Sequence, residues 1–214
     1  MKPNLADLRK SYDKGSLEIN AVIDHPLNLF ETWFKEAEQS DFIEEANAMT
    51  LSTLGKSGFP KSRVVLLKGF SEEGFVFFTN YESEKGRSML SNPKVGITFF
   101  WPSLERQIII KGNAEKISSA RSDDYFNSRP RGSQLGALAS PQSSVIPNRQ
   151  FLQDRLAALM DEYQNKPIPR PDHWGGIVVK PVQIEFWQGR PNRLHDRISC
   201  QLINKVWKSE RLAP

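Results

Sequence analysis

Three side chains able to bind or polarise an anionic partner recur at every second position near the C-terminus: Arg193, His195 and Arg197. They follow Gln183 to Gln188, where apolar and polar residues alternate, and a glycine and a proline then mark a turn. The pattern predicts a β-hairpin whose second arm begins at Arg193. In a strand all three side chains would share one face and repel one another unless an anionic or electron-rich group lay over them. The stretch therefore indicates either a binding site or a solvated edge strand.

Other segments carry side chains suited to phosphate oxygens. Ser83 is a candidate helix N-cap, and Lys85 follows it, so free backbone N–H groups and an ammonium would converge there. Residues 129–136 and 140–144 form connectors dense in hydroxyl, amide and guanidinium groups. The alternatives are an ordinary surface helix start and two solvated loops.

Composition restricts the class of protein. With 38% hydrophobic and 25% charged residues in 214, the chain has globular composition and the length of one domain. No apolar run approaches the roughly 20 residues of a membrane span, and no signal-peptide pattern opens the chain, so we expect a soluble cytoplasmic protein. Cys200 is the only cysteine, which excludes an intrachain disulfide and argues against a thiolate-bound metal. The net charge of +4 indicates anionic partners, but dispersed Lys and Arg argue against nucleic acid.

The elements that must position these residues are short strands between helices. Residues 4–13 fit a short amphipathic helix, and the stretch after Asp24, with Pro26 in its first turn, fits a longer one. Further helices are predicted within residues 80–92, 118–128 and 148–164. The predicted strands span residues 48–54, 62–70, 75–79, 94–101, 105–117 and 177–180. Strands joined by tight turns indicate an antiparallel sheet, and apolar residues on both faces favour a closed barrel.

Common catalytic motifs are absent from the sequence. It contains no GxGxxG after a strand, no P-loop, no HExxH, no Cys-His ligand spacing and no nucleophile elbow. The scattered histidines His25, His173 and His195 leave a Ser-His-Asp site open. From the residues alone we expect a basic antiparallel barrel that binds phosphorylated ligands and leaves the hard chemistry to a cofactor.

A series of motifs, in order along nearly the whole chain, resembles the pyridoxamine 5′-phosphate oxidase family. The motifs occupy residues 63–68, 77–80, 104–107, 125–131, 142–144, 174–176, 184–189, 193–197 and 211–214. The resemblance implies a mainly β fold with flanking helices, the FMN-binding split barrel, over residues 23–214. It implies that residues 1–22 form an N-terminal segment able to cover the active site. It also implies a homodimer with FMN at the interface.

The resemblance further implies an activity and a set of site residues. The reaction would oxidise pyridoxamine or pyridoxine 5′-phosphate to pyridoxal 5′-phosphate while dioxygen becomes hydrogen peroxide. FMN would contact Arg63, Val64, Val65, Leu66, Leu67, Lys68, Phe78, Thr79, Lys85, Gln107, Gln142, Ser143, Trp187 and Arg197. The substrate would contact Lys68, Tyr125, Arg129, Ser133, Arg193 and His195, with Arg9 and Tyr12 from the N-terminal segment. Arg193 and His195 would lie over the pyridine ring and Arg197 near the oxidised carbon, which makes these three the catalytic set.

The chain departs from the family pattern at two positions. Glu84 stands where the family usually has an arginine for the FMN phosphate, so we predict that Glu84 turns outward and that Lys85 and Arg63 bind the phosphate. Phe78 stands where a tyrosine is common. A split-barrel protein that binds FMN or pyridoxal phosphate without turnover is the alternative function, although such a protein would have no need of the substrate set.

Overall fold

The computed structural model describes residues 4–5, 8, 10–22, 25–56 and 58–214. Its α-helices are α1 (Pro26–Glu38), α2 (Glu84–Ser91), α3 (Ser119–Ser128), α4 (Arg131–Ala139) and α5 (Arg149–Glu162). Its strands are β1 (Ala48–Leu54), β2 (Pro60–Leu66), β3 (Gly69–Ser71), β4 (Gly74–Asn80), β5 (Lys94–Trp101), β6 (Arg106–Lys116), β7 (Trp174–Gln188), β8 (Asp196–Ile203) and β9 (Val206–Leu212). Short 3₁₀ helices occupy Ile19–Val22 and Pro191–Arg193.

The strands of the described ranges form one sheet. Its order is β2-β1-β5-β6-β7-β4-β3, and β8 pairs with both β7 and β9. The β4–β7, β7–β8 and β8–β9 pairs are antiparallel. A mainly antiparallel sheet with flanking helices confirms the predicted fold class. None of the helices in the described ranges has the length and hydropathy needed to cross a bilayer.

The chain divides into two compact units. The first contains residues 1–50, 96–111 and 181–214, and the second contains residues 51–95 and 112–180. In the first unit α1 begins at Pro26, which suits a first turn, and the preceding His25 caps it by accepting the Leu27 N–H at 3.2 Å. The buried α1 residues Phe30 and Trp33 pack edge-on against aromatic rings of β5 and β7. This aromatic packing forms the core of the first unit.

The second unit has its own core beneath α3, α4 and α5. Phe126, Leu135, Ile168 and Trp174 form a buried cluster there. In the β4–β7 pair Phe78 lies opposite Gly176. A side chain at Gly176 would collide with Phe78, so glycine permits the ring to lie across β7. The cluster thereby supports one wall of the site described below.

Several predicted elements are confirmed. The bounds of β1 and β5 agree with the prediction. Those of β4, β6 and α5 differ from it by one or two residues at each end, and α3 begins one residue later and ends as predicted. Ser83 caps α2 as predicted, since its Oγ accepts the Gly86 N–H at 3.2 Å. The predicted hairpin also forms, with Gln188 opposite Asp196.

Other predictions were wrong. Residues 62–70 do not make one strand, because the sheet pairing is interrupted between β2 and β3. The predicted connector over residues 129–136 is largely helix α4, whose Leu135 and Ala139 sit four residues apart and are both buried. Within the predicted helix over residues 4–13, the described residues 10–13 are not helical. For α4, whose Leu135 packs in the core cluster of the second unit, tertiary packing outweighs the local pattern.

Candidate active site

A cavity of about 510 Å³ in the second unit gathers most of the predicted ligand contacts. Eleven of them line it: Val64, Val65, Leu66, Lys68, Phe78, Thr79, Lys85, Tyr125, Arg129, Ser133 and Gln142. Five lining residues were not predicted: Asn80, Gly136, Ala137, Ser140 and Trp174. The wrongly predicted connector therefore contributes Ser133 and its neighbours from a helix rather than from a loop.

Stacked aromatic rings form one wall of this cavity. The Phe78 and Tyr125 rings stack with centroids 3.7 Å apart, and Trp174 stacks on Phe78 at 5.5 Å. The Arg129 guanidinium lies over the Trp174 ring, 4.6 Å from its centroid. Trp174 is itself buried in the core cluster, so it gives Tyr125 and Arg129 a rigid support. In the sequence, only the position of Trp174 in the Trp-Gly-Gly motif could have indicated that it supports Tyr125 and Arg129.

Arg129 presents unused hydrogen-bond donors to the cavity. Its NH1 atom is buried and has no hydrogen-bond partner among the described residues. Burial lowers the pKa of the Arg129 guanidinium from its ordinary value, and the nearby Tyr125 opposes this. A half-buried guanidinium whose NH1 is fully buried with unmet donors is stabilised by an anion that accepts two hydrogen bonds, as phosphate does. The Lys68, Tyr125 and Ser133 side chains line the same cavity and offer further donors.

A second cationic group lies at the start of α2. The Lys85 ammonium donates to Gln142 Oε1 at 3.1 Å and lies 3.5 Å from Ser83 Oγ. Burial lowers the pKa of Lys85, and the charge of Arg63 lowers it further. The Arg63 guanidinium donates to the Leu51 carbonyl at 3.1 Å and to Thr53 Oγ1 at 2.8 Å. Two cations that repel each other beside a helix N-terminus are suited to an anion.

Glu84 adjoins this group but pairs elsewhere. Its carboxylate forms an ion pair with Lys61 of β2. The hydrogen bond from Lys61 is the main cause that lowers the pKa of Glu84. Glu84 is not one of the described residues that line the cavity. This placement agrees with an outward-turned Glu84, and its position relative to a bound phosphate stays a prediction.

The first unit holds a different cavity, of about 770 Å³, around the hairpin turn. It is lined by Leu8, Lys10, Ser11, Tyr12, Arg190, Asn192, Arg193 and His195. His195 Nδ1 accepts the Arg190 N–H at 3.1 Å, so the neutral imidazole carries its proton on Nε2. The His195 ring centroid lies 4.6 Å from that of Trp187 and 5.8 Å from that of Tyr12. The imidazole is therefore oriented by the turn backbone and by two aromatic rings.

The predicted alternation of Arg193, His195 and Arg197 along one strand was wrong. β8 begins only at Asp196, and Arg193 ends a 3₁₀ turn with a φ of 63°. Left-handed backbone at Asn192 and Arg193 breaks the extended geometry that a period of two requires. The edge-strand alternative was also wrong, because β8 pairs with strands on both sides.

Arg197 is held by carboxylate and carbonyl groups. Its Nε donates to Glu185 Oε1 and its NH1 donates to the Ala213 carbonyl, each at 2.9 Å. Trp187 lies opposite Arg197 in the β7–β8 register. Both the strand pairing and the ion pair thus restrict the orientation of this guanidinium.

The remaining predicted contacts are dispersed. Gln107 lies half-buried in β6, and the Leu67 side chain is buried. Ser143 is exposed beside Gln142 with a φ of 71°. Arg9 lies outside the described residues. The described structure therefore brings the predicted residues together as two sets, one in each unit.

Comparison with known proteins identifies the family. Residues 36–160 match the family model described as pyridoxamine 5′-phosphate oxidase. Residues 174–214 match the pyridoxine 5′-phosphate oxidase C-terminal dimerisation region. Among solved structures, PhzG from Burkholderia lata in complex with tetrahydrophenazine-1-carboxylic acid has a TM-score of 0.86 and 25% identity, covering 94% of this chain and 100% of that one. A pyridoxamine 5′-phosphate oxidase-related FMN binding protein from Nostoc punctiforme, 19% identical, shares the fold with a TM-score of 0.70, covering 86% of this chain and 96% of that one.

Curated relatives match over their whole length. The pyridoxine/pyridoxamine 5′-phosphate oxidase of Christiangramia forsetii is 56% identical, covering 100% of both chains. The protein of the same name from Synechocystis is 53% identical, covering 99% of this chain and 98% of the relative. Identity of 53% and 56% over at least 98% of each chain shows the family. The chain belongs to the pyridoxamine 5′-phosphate oxidase family, with its split-barrel fold.

Proposed function

We propose that the protein is an FMN-dependent oxidase that converts pyridoxamine 5′-phosphate and pyridoxine 5′-phosphate to pyridoxal 5′-phosphate. The alcohol substrate and O2 give the aldehyde and H2O2, and the amine substrate, with water, also releases ammonia. The observation that carries the substrate assignment is the buried, unpaired Arg129 NH1 in a cavity with Lys68, Tyr125 and Ser133. The two relatives named pyridoxine/pyridoxamine 5′-phosphate oxidase also support the assignment.

The residues present fit FMN. Arg63 and Lys85 are two partly buried cations beside the N-terminus of α2 and are suited to the cofactor phosphate. The backbone of Val64 to Leu66 and the Gln142 amide, all lining the cavity, offer donors and acceptors to the isoalloxazine edge. Bound there, FMN would supply the acceptor for a hydride equivalent from the substrate and the route by which the electrons reach dioxygen.

Residues of the cavity in the second unit bind the substrate phosphate. Arg129 supplies the charge-assisted hydrogen bonds, and Lys68, Tyr125 and Ser133 supply additional donors. The Tyr125 ring stacks with the Phe78 and Trp174 rings, and this stacking restricts the orientation of Tyr125. Binding energy at the phosphate fixes the position of the pyridine ring.

Residues of the first unit orient the reacting end of the substrate. Arg193 and His195 lie over the pyridine ring, and the Arg190 N–H keeps the His195 proton on Nε2, where it can be donated. Arg197, held by Glu185, lies near the carbon that is oxidised and orients the oxygen or nitrogen that this carbon carries by donating a hydrogen bond to it. Gln107, Ser143 and Trp187 complete the cofactor contacts. Tyr12 of the N-terminal segment covers the active site that residues 23–214 form. The same role for Arg9, which lies outside the described residues, stays a prediction.

The active form is a homodimer with FMN at the subunit interface. The match of residues 174–214 to a dimerisation region supports this assembly. Sedimentation of the FMN-loaded protein gives a dimer mass on this proposal, and a monomer that turns over substrate would contradict it.

Turnover tests the function directly. Purified protein with FMN is supplied with pyridoxine 5′-phosphate and, in a separate assay, with pyridoxamine 5′-phosphate. Oxygen uptake, H2O2 and the aldehyde product are measured together in each assay. The three quantities rise in equal amounts if the protein is the oxidase. Tight FMN binding with no product from either substrate would favour the non-catalytic binding protein.

A further inference from the structure

Glu105 is a buried carboxylate that the proposed reaction does not use. It lies between β5 and β6 and is only 1% exposed. Its Oε2 accepts the backbone N–H groups of Asp13 at 2.8 Å and Lys14 at 3.0 Å. Its Oε1 is buried without a hydrogen bond, and the Lys10 ammonium lies 3.6 Å away. One carboxylate thus contacts three residues of the N-terminal segment, more than 90 positions earlier in the chain.

The backbone at Glu105 has a left-handed conformation, which hydrogen bonds to its carbonyl help to hold. Glu105 has a φ of 56°, in the left-handed region that favours glycine. Its carbonyl accepts the Gly189 N–H at 2.8 Å and lies 3.3 Å from Gln188 Nε2. Neighbouring groups therefore fix a strained glutamate where glycine would fit more easily, an arrangement found at functional positions.

The segment that Glu105 binds carries Tyr12. The Tyr12 ring centroid lies 5.8 Å from those of Trp187 and His195. A Cβ atom at Gly189 would lie 2.8 Å from Tyr12 Cβ and 3.0 Å from Glu105 Cβ, so Tyr12 and Glu105 both pack directly on this glycine. Lys10, Ser11 and Tyr12 line the cavity of Arg193 and His195.

Residues after Lys14 have attachments of their own. The Gly15 carbonyl accepts from Arg190 NH1 at 2.7 Å, and the Leu17 N–H donates to Asp196 Oδ2 at 3.0 Å. The Lys14 ammonium also donates to the Ser103 carbonyl at 2.6 Å. Among the described residues, Glu105 accepts the backbone hydrogen bonds that lie nearest to Tyr12 in the chain. Losing them should loosen residues 10–14, which the Tyr12 ring contacts alone would then hold, while residues 15–17 stay attached.

We propose that Glu105 is a positioning residue that latches residues 10–14 and thereby sets Tyr12 against Trp187 and His195. The effect on substrate rests on the proposed function, whereas the latch itself is a property of the folded chain. A carboxylate is suited to the task because one oxygen accepts two backbone N–H groups while the other attracts an ammonium.

Limited proteolysis of the FMN-loaded protein tests the latch. Trypsin cleaves after Lys10 and Lys14, and mass spectrometry reports the rate at each bond. Glu105→Ala is expected to raise both rates by roughly tenfold or more, since the charge-assisted bonds are lost. Glu105→Gln, which keeps one acceptor of similar size, is expected to fall between. The matched control is Glu115→Gln, which removes an exposed carboxylate paired with Lys180. Equal cleavage rates in Glu105→Gln, Glu105→Ala and wild type would overturn the latch.

A double-mutant cycle tests the route through Tyr12. Glu105→Ala is expected to raise KM about tenfold with a smaller change in kcat, and to have little effect on KM in a Tyr12→Ala background. An equal rise in both backgrounds would show that Glu105 acts on the fold and not through Tyr12. If the protein turns over neither substrate, the proposed function fails while the cleavage rates still decide the latch.

Discussion

At the scale of single residues, Arg129 carries the substrate assignment through the donors that it presents to the cavity. Its NH1 is buried without a partner, and its guanidinium is supported by the Trp174 ring. A flavin-binding cavity alone gives no reason to bury one nitrogen of a guanidinium without a hydrogen-bond acceptor, because the desolvation penalty needs an anion to offset it.

Arg129→Gln should weaken the substrate more than the fold. Losing a charge-assisted hydrogen bond costs about 1.5 to 3 kcal/mol, which corresponds to roughly a 10- to 100-fold rise in KM. Steady-state kinetics with pyridoxine 5′-phosphate measures it, with the exposed Arg149→Gln as the charge-matched control. A KM that rises equally in the control would remove Arg129 from the phosphate site.

Arg197→Leu should lower the chemical rate far more than it lowers stability. Removing a preorganised group that orients the reacting end of the substrate reduces kcat on the order of 100-fold. Rapid-mixing reduction of the flavin and thermal unfolding are measured on the same sample. Glu185→Gln, which loosens the Arg197 guanidinium without removing it, should give a smaller loss. Unchanged flavin reduction in Arg197→Leu would exclude Arg197 from the mechanism.

At the scale of elements, the N-terminus of α2 makes cofactor affinity depend on pH. Burial and Arg63 lower the pKa of Lys85 in the free protein, so the ammonium is lost at a lower pH than for an ordinary lysine. A phosphate binds the charged form, so FMN affinity is full below that pKa and falls as pH rises through it. Fluorescence titration should show this alkaline loss in the wild type and a flatter profile in Lys85→Arg. A flat wild-type profile would contradict it.

The ion pair between β2 and α2 neutralises a negative charge near the proposed site of the FMN phosphate. Lys61 pairs with Glu84, whose own charge would otherwise oppose the anion. Lys61→Ala should weaken FMN binding by about two- to fivefold, the scale of an exposed ion pair, and less at high salt. The same change in a Glu84→Gln background should have almost no effect. Equal losses in both backgrounds would mean that Lys61 binds the phosphate itself.

Local patterns predicted the elements better than they predicted the site geometry. Alternation over residues 183–188 and the cap at Ser83 depend on near neighbours, and both are confirmed. The polar stretch of α4 was taken for a loop because its burial depends on a core built by α3 and α5. The 3₁₀ turn at Pro191–Arg193 follows from two left-handed residues that no period-two pattern reveals.

At the scale of the whole molecule, motif order along the chain predicted the family and, through it, the fold class. Eleven residues predicted as ligand contacts line the cavity in the second unit, where Lys85 contacts Gln142, and their roles toward cofactor and substrate stay predictions. Trp174 and Glu105 were missed as site residues, although both lie in motifs, because their roles come from packing and from a distant segment. Residues with the chemical groups to bind a ligand were therefore easier to predict than the residues that position them.

Anaerobic reduction of the bound flavin tests the central claim most directly. The purified protein is loaded with FMN, freed of oxygen and mixed with one equivalent of pyridoxine 5′-phosphate while the visible spectrum is followed. The account predicts that the oxidised flavin bleaches and that its absorbance returns when oxygen is admitted, with pyridoxal 5′-phosphate formed. A flavin spectrum that stays oxidised with both this substrate and pyridoxamine 5′-phosphate would contradict the account.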